Sequence, residues 1–376
     1  MRSVWILVIL ALQWPLFAMA DEVEEETTSL ATELLPHVGV LGRVGVGAVL
    51  GGDPVRVGQT DALRSGFHFE RLDLAVDGAY GPYTRVNGRV LFREDGMWLD
   101  HATIGLASLP WNVALRAGLL RSRIGRHNEL NPEEQTFVAL PLVAGKMFGP
   151  MGHRAVGLDL YFAPPVSWQL GFFAAATSAE GVGQRSFFGE DPVEIEHPRD
   201  FIYQLGVEND WQRDQIHIGF DLHALLGPNN TGRANSTDIY GAAFTLGYDD
   251  GEGYRVGLNT EWYLRRRQVI ADVLQDLGGF VTLSVGIAED YGIAARYELT
   301  TGVDDDYLDP ADTEKRHRAS LQASWEPADS FRMRLVGGAD FGGPLEDSVY
   351  SVLLHFEAGL TSCPGKFEEG RCTQED

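Results

Sequence analysis

From His37 to about Leu360, apolar and polar residues alternate with a period of two in segment after segment. In HVGVLGRVGVGAVL, for example, Val38, Val40, Val44, Val46 and Ala48 share one face. Successive side chains of a strand point to opposite sides, so this alternation predicts strands with one apolar face. The pattern recurs in FHFERLDLAVDGAY, PYTRVNGRVLFRE, GMWLDHATIGLA and NVALRAGLLR. After a long interruption it returns in HRAVGLDLYFA, VSWQLGFFAAAT, FIYQLGVEND, DQIHIGFDLHALL, STDIYGAAFTLGYDD and GYRVGLNTEWYLRRR. FVTLSVGIAED, YGIAARYELTT, KRHRASLQASWE, SFRMRLVGGADF and DSVYSVLLHFEAGL complete the series. About sixteen strands are expected, each long enough to cross a bilayer at a tilt.

The connections sort by parity. Even-to-odd joins read as tight turns such as Gly81-Pro82, Leu109-Pro110-Trp111 and Pro164-Pro165. Odd-to-even joins are mostly longer, at 51–65, 122–152, 179–200, 227–235, 268–278 and 302–314, with Glu94-Asp95 and 342–346 short. A soluble sandwich has no reason to sort loop length this way, whereas an outer-membrane barrel does. The expected fold is therefore all-β: a transmembrane antiparallel β-barrel over 37–360 with short periplasmic turns and long extracellular loops. An even strand number places both barrel ends in the periplasm.

Strand parity assigns the lumen. Leu72, Leu74 and Val76 face lipid, which turns Arg71, Asp73 and Asp77 inward; Val86, Val90 and Phe92 likewise leave Arg85, Asn87, Arg89 and Arg93 inside. The same reasoning places Arg116, Asp159, Gln204, Glu208, His217, Asp221 and His223 in the lumen. Arg255, Asn259, Glu261, Arg265, Arg296 and Glu298 follow, then Arg316, Arg318, Gln322, Arg332, Arg334, Asp340 and Glu357. So polar an interior implies water, and about sixteen strands leave room for a channel. The arginines either form a cationic wall that favours anions or pair with lumenal carboxylates and merely stiffen the barrel. In MWLDHATIGLA the two faces are nearly equal in polarity.

The long interruption, within Ala114–Asp159, carries Arg, His, Asn and Pro with apolar anchors at Phe137, Leu140, Val143 and Phe148. Long structureless loops in compact domains are usually functional. We read 122–152 as the third outward loop, folded back to constrict the pore. Its candidate constriction residues are Arg116, Arg121, Arg123, Arg126, His127, Glu129, Glu133 and Glu134.

Composition adds the compartment. Residues 1–20 read as a signal peptide: Arg2, the apolar run VWILVILALQWPLF and the cleavage site Ala18-Met19-Ala20. Removing it takes Arg2 from a net charge of −24 and leaves −25, all excess acid. That charge excludes nucleic acid as a partner. Residues 21–36 form an acidic periplasmic segment, and 361–376 a periplasmic tail in which Cys363 and Cys372 are expected to form a local disulfide.

The stretch LRAGLLRSRIGRHNELNP, Leu115 to Pro132, resembles the phosphate-selective porin O and P type family in its basic, glycine-rich strand running through an Arg-x-x-x-Gly-Arg type element. A looser likeness extends over about 37–360. The resemblance implies a sixteen-stranded bacterial outer-membrane porin, often a homotrimer, whose third loop narrows the pore. Arg121, Arg123, Arg126 and His127 would fill the family's basic positions. The chain departs from that pattern in the loop glutamates, in having no matching lysine cluster, and in the sixteen residues that follow Leu360, where the barrel assembly machinery recognises an aromatic terminus.

The expected function is passive diffusion of small hydrophilic solutes or ions, with outer-membrane lipids around the barrel and no cofactor. A non-conducting adhesive or structural barrel is the alternative. Enzyme activity is not expected, because no G-x-S-x-G, H-E-x-x-H or metal-ligand spacing is present. The chain is too short for a plugged 22-stranded receptor.

Overall fold

The computed structural model describes residues 37–51, 65–80, 83–131, 134–166, 168–181, 183–188, 200–251, 253–288, 290–304, 313–328, 330–342, 348–361, 366–368 and 371–373. Expectations for the signal peptide, the acidic segment, Glu133 and the Cys363 end of the disulfide fall outside these residues.

Sixteen strands form one closed antiparallel barrel in which each pairs with its sequence neighbours. They are β1 (His37–Leu50), β2 (Gly66–Tyr80), β3 (Thr84–Arg93), β4 (Gly96–Leu109), β5 (Val113–Arg121), β6 (Arg154–Phe162), β7 (Leu170–Ser178) and β8 (Phe201–Arg213). The second half comprises β9 (Ile216–Pro228), β10 (Ser236–Asp249), β11 (Arg255–Gln268), β12 (Val273–Ile287), β13 (Tyr291–Thr300), β14 (Arg316–Ala328), β15 (Phe331–Phe341) and β16 (Val349–Thr361). Closure comes from β1 against β16, in register from Gly39↔Thr361 to Leu50↔Tyr350. Closure removes the sheet edges, so every strand has a hydrogen-bonded neighbour on both sides. A separate two-stranded hairpin, β17 (Lys366–Glu368) and β18 (Arg371–Thr373), follows the barrel.

The apolar face is outside. Val44, Leu72, Leu74, Val76, Ile104, Leu158, Leu160, Leu205, Leu222, Leu283, Leu321 and Val352 are exposed, while Asp73, Arg89, Asp159, Glu261, Arg296 and Glu298 are buried. A soluble protein does not expose apolar surface around its whole girth; this band is matched to lipid. No helix among the described residues is long and apolar enough to cross a membrane.

Two β-bulges account for the segments whose parity is hardest to read. Arg43 pairs with Arg71 but Val44 with Phe69, which leaves Glu70 as an extra residue. Arg89 pairs with His101 but Val90 with Leu99, which leaves Asp100 extra. Each bulge turns two consecutive polar residues inward, Glu70-Arg71 and Asp100-His101, and shifts the alternation by one.

Connection lengths follow parity with two corrections. The ladder between β11 and β12 continues to Gln268↔Val273, so the expected loop 268–278 shrinks to 269–272; Asp276 belongs to the strand, paired across it with Arg265. On the other side, the β6–β7 connection, 163–169, is longer than a tight turn.

Candidate functional site

The third outward connection, 122–153, lies inside the barrel and carries two short helices, α1 (Gly125–Glu129) and α2 (Leu142–Phe148). The wall holds it chiefly through hydrogen bonds to its backbone. Glu261 on β11 accepts the His127 N–H at 2.6 Å, and Tyr263 Oη donates to the Ile124 carbonyl at 3.1 Å. Glu298 on β13 accepts the Leu142 N–H at 2.6 Å, while Arg296 donates to the Ala139 carbonyl at 2.8 Å. Gln204 on β8 donates to the Arg123 carbonyl and Gln322 on β14 to the Thr136 carbonyl. Each helix start thus finds a carboxylate among groups that a short helix leaves unpaired.

Gly125 is required by this fit. Its φ is +68°, and a Cβ there would lie 2.3 Å from Tyr263 Oη and 2.4 Å from Glu261 Oε2. No residue with a side chain enters this position without moving the wall.

The loop also has a core of its own. Ile124, Val143, Met147 and Phe148 pack with Ile202, Leu225, Ile239, Tyr263 and Phe280 of the wall, and with Ala179, Phe187 and Phe188 of the fourth outward connection. Farther along, Phe137 packs on Ala294, Val336 and Leu353, with the Arg296 guanidinium 4.6 Å from its ring centre. Of the expected anchors, Phe137, Val143 and Phe148 are fully buried and Leu140 is half-buried. Lys146 is buried too, 3.1 Å from Asp276 and bonded to the Thr301 carbonyl. The fourth connection clamps the third through Ser186 Oγ, which donates to the Met147 carbonyl at 2.6 Å, and is itself tied to the start of β6 by Gln184, which donates to the Arg154 carbonyl at 2.6 Å.

The basic loop residues are largely engaged. Arg121 reaches Asp100 at 2.7 Å and the Leu130 carbonyl at 2.6 Å. Arg123 lies over the Tyr161 ring at 4.6 Å, between Glu129 at 3.3 Å and Asp159 at 3.4 Å. Arg126 reaches Asp210 and the Asn209 carbonyl, and Arg116 pairs with Asp159. Glu134 accepts the Asn131 N–H. His127 departs from the expectation of a pore-facing base: it is 7% exposed, edge-on to Phe280. Burial, with Arg296 and Arg121 nearby, pushes its imidazole down to about 3. His153, against Phe148 and Phe187, is pushed to about 3 by burial as well.

The wall arginines are inside, as parity requires, and most meet a carboxylate. Arg71 and Arg89 approach Asp73 at 3.4 and 3.8 Å; Arg318 binds Asp340, and Arg296 binds Glu298 at 2.8 Å. Arg332 binds Glu326 at 2.8 Å, Arg334 lies 3.9 Å from Glu357, and Arg316 lies 3.9 Å from Glu314. The dense lumenal charge is thus balanced largely by pairing, the second of the two roles the sequence left open for these arginines. Arg85 is exposed and Arg93 half-buried. A cavity of about 430 Å³ opens at the short-turn end, lined by Arg255, Arg332, Arg334 and Glu326, with Glu134–Thr136 of the loop on its inner side.

No protein-family profile matches the sequence, and no curated protein matches it. Solved structures do. An anion-selective porin from Comamonas acidovorans is 12% identical with a TM-score of 0.58, covering 87% of this chain and 100% of its own. The outer-membrane channel DcaP of Acinetobacter baumannii is 12% identical with a TM-score of 0.55, covering 87% and 97%. OmpT of Vibrio cholerae, an outer-membrane protein described in a trimer form, is 9% identical with a TM-score of 0.57, covering 87% and 99%. At such identities the likeness establishes the fold: this chain has the architecture of outer-membrane porins and channels.

Proposed function

We propose that this chain is an outer-membrane channel for small hydrophilic solutes and ions, narrowed by its third outward loop and biased toward anions. The observation that carries the reading is the loop itself, fixed inside the barrel by wall carboxylates that bind its backbone. A barrel serving only as a scaffold or adhesin has no use for an elaborately anchored internal loop.

The anchors run from β8 to β16, so the wall of β1–β3 is the side along which solutes pass. That wall bears Arg43, Arg71, Arg85, Arg89 and Arg93 against Glu70, Asp73 and Asp77. Arg43 is bound by Glu357 of β16, which leaves the exposed Arg85 as the cation this wall presents most openly to anions where the lumen is narrow and poorly screened. The constriction residues, Arg116 and Arg121 on β5 and Arg123, Arg126, Glu129 and Glu134 of the loop, shape the passage more than they charge it, because they are paired with one another, with wall carboxylates or with backbone groups. Mixed pairing of this kind favours a broad anion preference over a phosphate-specific site. A homotrimer in the outer membrane is the assembly that accompanies this reading.

Planar-bilayer recording tests it. Discrete steps with a reversal potential displaced toward anions under a salt gradient support the proposal. A membrane that stays silent at every voltage overturns the channel, and a cation-directed potential overturns the bias.

A further inference from the structure

At the inner mouth, β11 to β15 share one register row whose lumenal positions are, in order, Arg255, Gly286, Gly292, Ser324 and Arg334. The next lumenal row toward the loop reads Gly257, Ser284, Ala294 and Gln322. Glycine, alanine and serine thus leave the wall between two arginines almost bare of side chains. This bare patch floors the cavity of about 430 Å³. Glycine weakens a strand, and glycines gathered on one lumenal face mark a place where a ligand or another backbone comes close.

The polar groups around the floor lean over it. Arg255 stands directly opposite Asp249 on β10, yet it forms no ion pair among the described residues. It turns the other way: its Nε lies 3.1 Å from where a Gly286 Cβ would be, so the exposed side chain crosses β12. Ser324 Oγ lies 2.6 Å from the corresponding point of Gly292, and Ser284 Oγ 2.7 Å from that of Gly257. Gln322, only 4% exposed, donates its amide N–H to the Thr136 carbonyl, and its Oε1 has no hydrogen-bond partner. The carboxylates around the cavity are engaged elsewhere or lie at its rim. Glu326 binds Arg332 at 2.8 Å, Glu134 accepts the Asn131 N–H, and Asp249 accepts the Gly251 N–H. Asp214 and Asp290 sit in the short turns.

We infer that this trough binds a small polyhydroxylated anion, a sugar acid or sugar phosphate, with its charged end on Arg255 and its hydroxyls on Ser284, Ser324 and Gln322. The guanidinium presents planar N–H donors that match a carboxylate or a phosphate. Gln322 Oε1 only accepts, so it calls for a donor, which a hydroxyl supplies and a bare inorganic anion does not. From Gly286 to Ser324 is two strand spacings, about 10 Å, the reach of a ligand of monosaccharide size lying flat on the glycines. The cavity has the volume of a small-molecule site. A ligand there lies against residues 134–136 of the internal loop, on the periplasmic side of the constriction.

Calorimetric titration of the purified full-length protein in detergent, with gluconate, glucose 6-phosphate, glucose and acetate as probes, tests the site. Saturable binding of gluconate or glucose 6-phosphate is expected, roughly ten-fold or more tighter than that of glucose or acetate, and the better of the two tells a carboxylate site from a phosphate site. Arg255→Met should weaken that binding by roughly ten-fold or more. Gly286→Val, which keeps every charge and fills the floor, should do the same. Arg213→Met removes an equal charge from a neighbouring turn and should leave binding as it is. Should Gly286→Val fail to fold, Arg255→Met, at an exposed position, decides alone. Acetate bound as well as the sugar anions, binding unchanged by Arg255→Met, or no binding of either sugar anion overturns the inference. The site rests on the channel reading, because solutes reach the trough through the lumen, but the titration needs no current. Binding without conductance overturns the channel and keeps the site; conductance without binding overturns the site alone.

Discussion

Glu298 on the barrel wall accepts a hydrogen bond from the backbone N–H of Leu142, the first residue of α2, at 2.6 Å. The same carboxylate binds Arg296 at 2.8 Å. One side chain thus fixes the second half of the internal loop and also neutralises the arginine that holds the Ala139 carbonyl. Glu298→Ala should leave the helix N–H without its acceptor and Arg296 without its counter-charge, with only the Ala139 carbonyl left to accept from it. A cost of about 1–3 kcal/mol to loop docking follows, read as faster hydrogen exchange over 139–148 with the barrel itself intact. Exchange equal to that of the parent would show that the cap does not hold the loop.

Asp276 holds two buried cations, Arg265 through both carboxylate oxygens at 2.9 and 2.6 Å and Lys146 at 3.1 Å. Asp276→Asn removes the shared anion from both. Breaking a buried pair by deleting one partner costs about 3–5 kcal/mol, so this substitution should lower the unfolding temperature in detergent more than Lys146→Met does. The methionine leaves Arg265 with its partner and fits the apolar surroundings.

Acid should loosen the loop. In the docked loop His127 and His153 are neutral, each with its imidazole pushed down to about 3. A released, hydrated histidine titrates near about 6.5. Between those values the released form binds more protons, so docking is fully stable above the upper value and weakens as pH falls through the window. Single-channel conductance or hydrogen exchange over 124–148 should increase from pH 7 to pH 4. The variant His127→Gln/His153→Gln should respond less steeply. An equal response in both would assign the effect elsewhere.

Charge on β2 and β3 should set ion preference. Replacing Arg71 and Arg89 with alanine removes two of the five cations of that wall, and the reversal potential under a salt gradient should move toward cations. Arg265, bound to Asp276 beneath the loop, is the matched control: Arg265→Met should alter stability and leave the potential in place.

Much of the barrel is legible in the sequence because lipid on one side and charge on the other force a strict alternation, as in Leu72-Asp73-Leu74. The alternation is obscured where a bulge inserts a residue, at Glu70 and Asp100, since pairing with a neighbour is a property of two strands and cannot be read from one. Phe137, Val143 and Phe148 are visible as anchors because apolar side chains stand out in a polar loop. Phe187 and Phe188 in QRSFFG carry the same signal for the fourth connection, whose role as a clamp the strand pattern alone does not reveal. Least legible is the pairing of charges. Parity places Glu261 and Glu298 in the lumen, but only the folded loop shows that they bind its backbone rather than face water.

The central claim is that residues 122–153 narrow an aqueous path, and the most direct measurement compares single-channel conductance of the parent chain with that of a chain lacking 128–143. The deletion removes Phe137, the Leu142 contact with Glu298 and Val143 of the loop core while sparing the strands. Small discrete steps in the parent and steps several-fold larger in the deletion are predicted. Equal conductance in two properly folded barrels would contradict the claim.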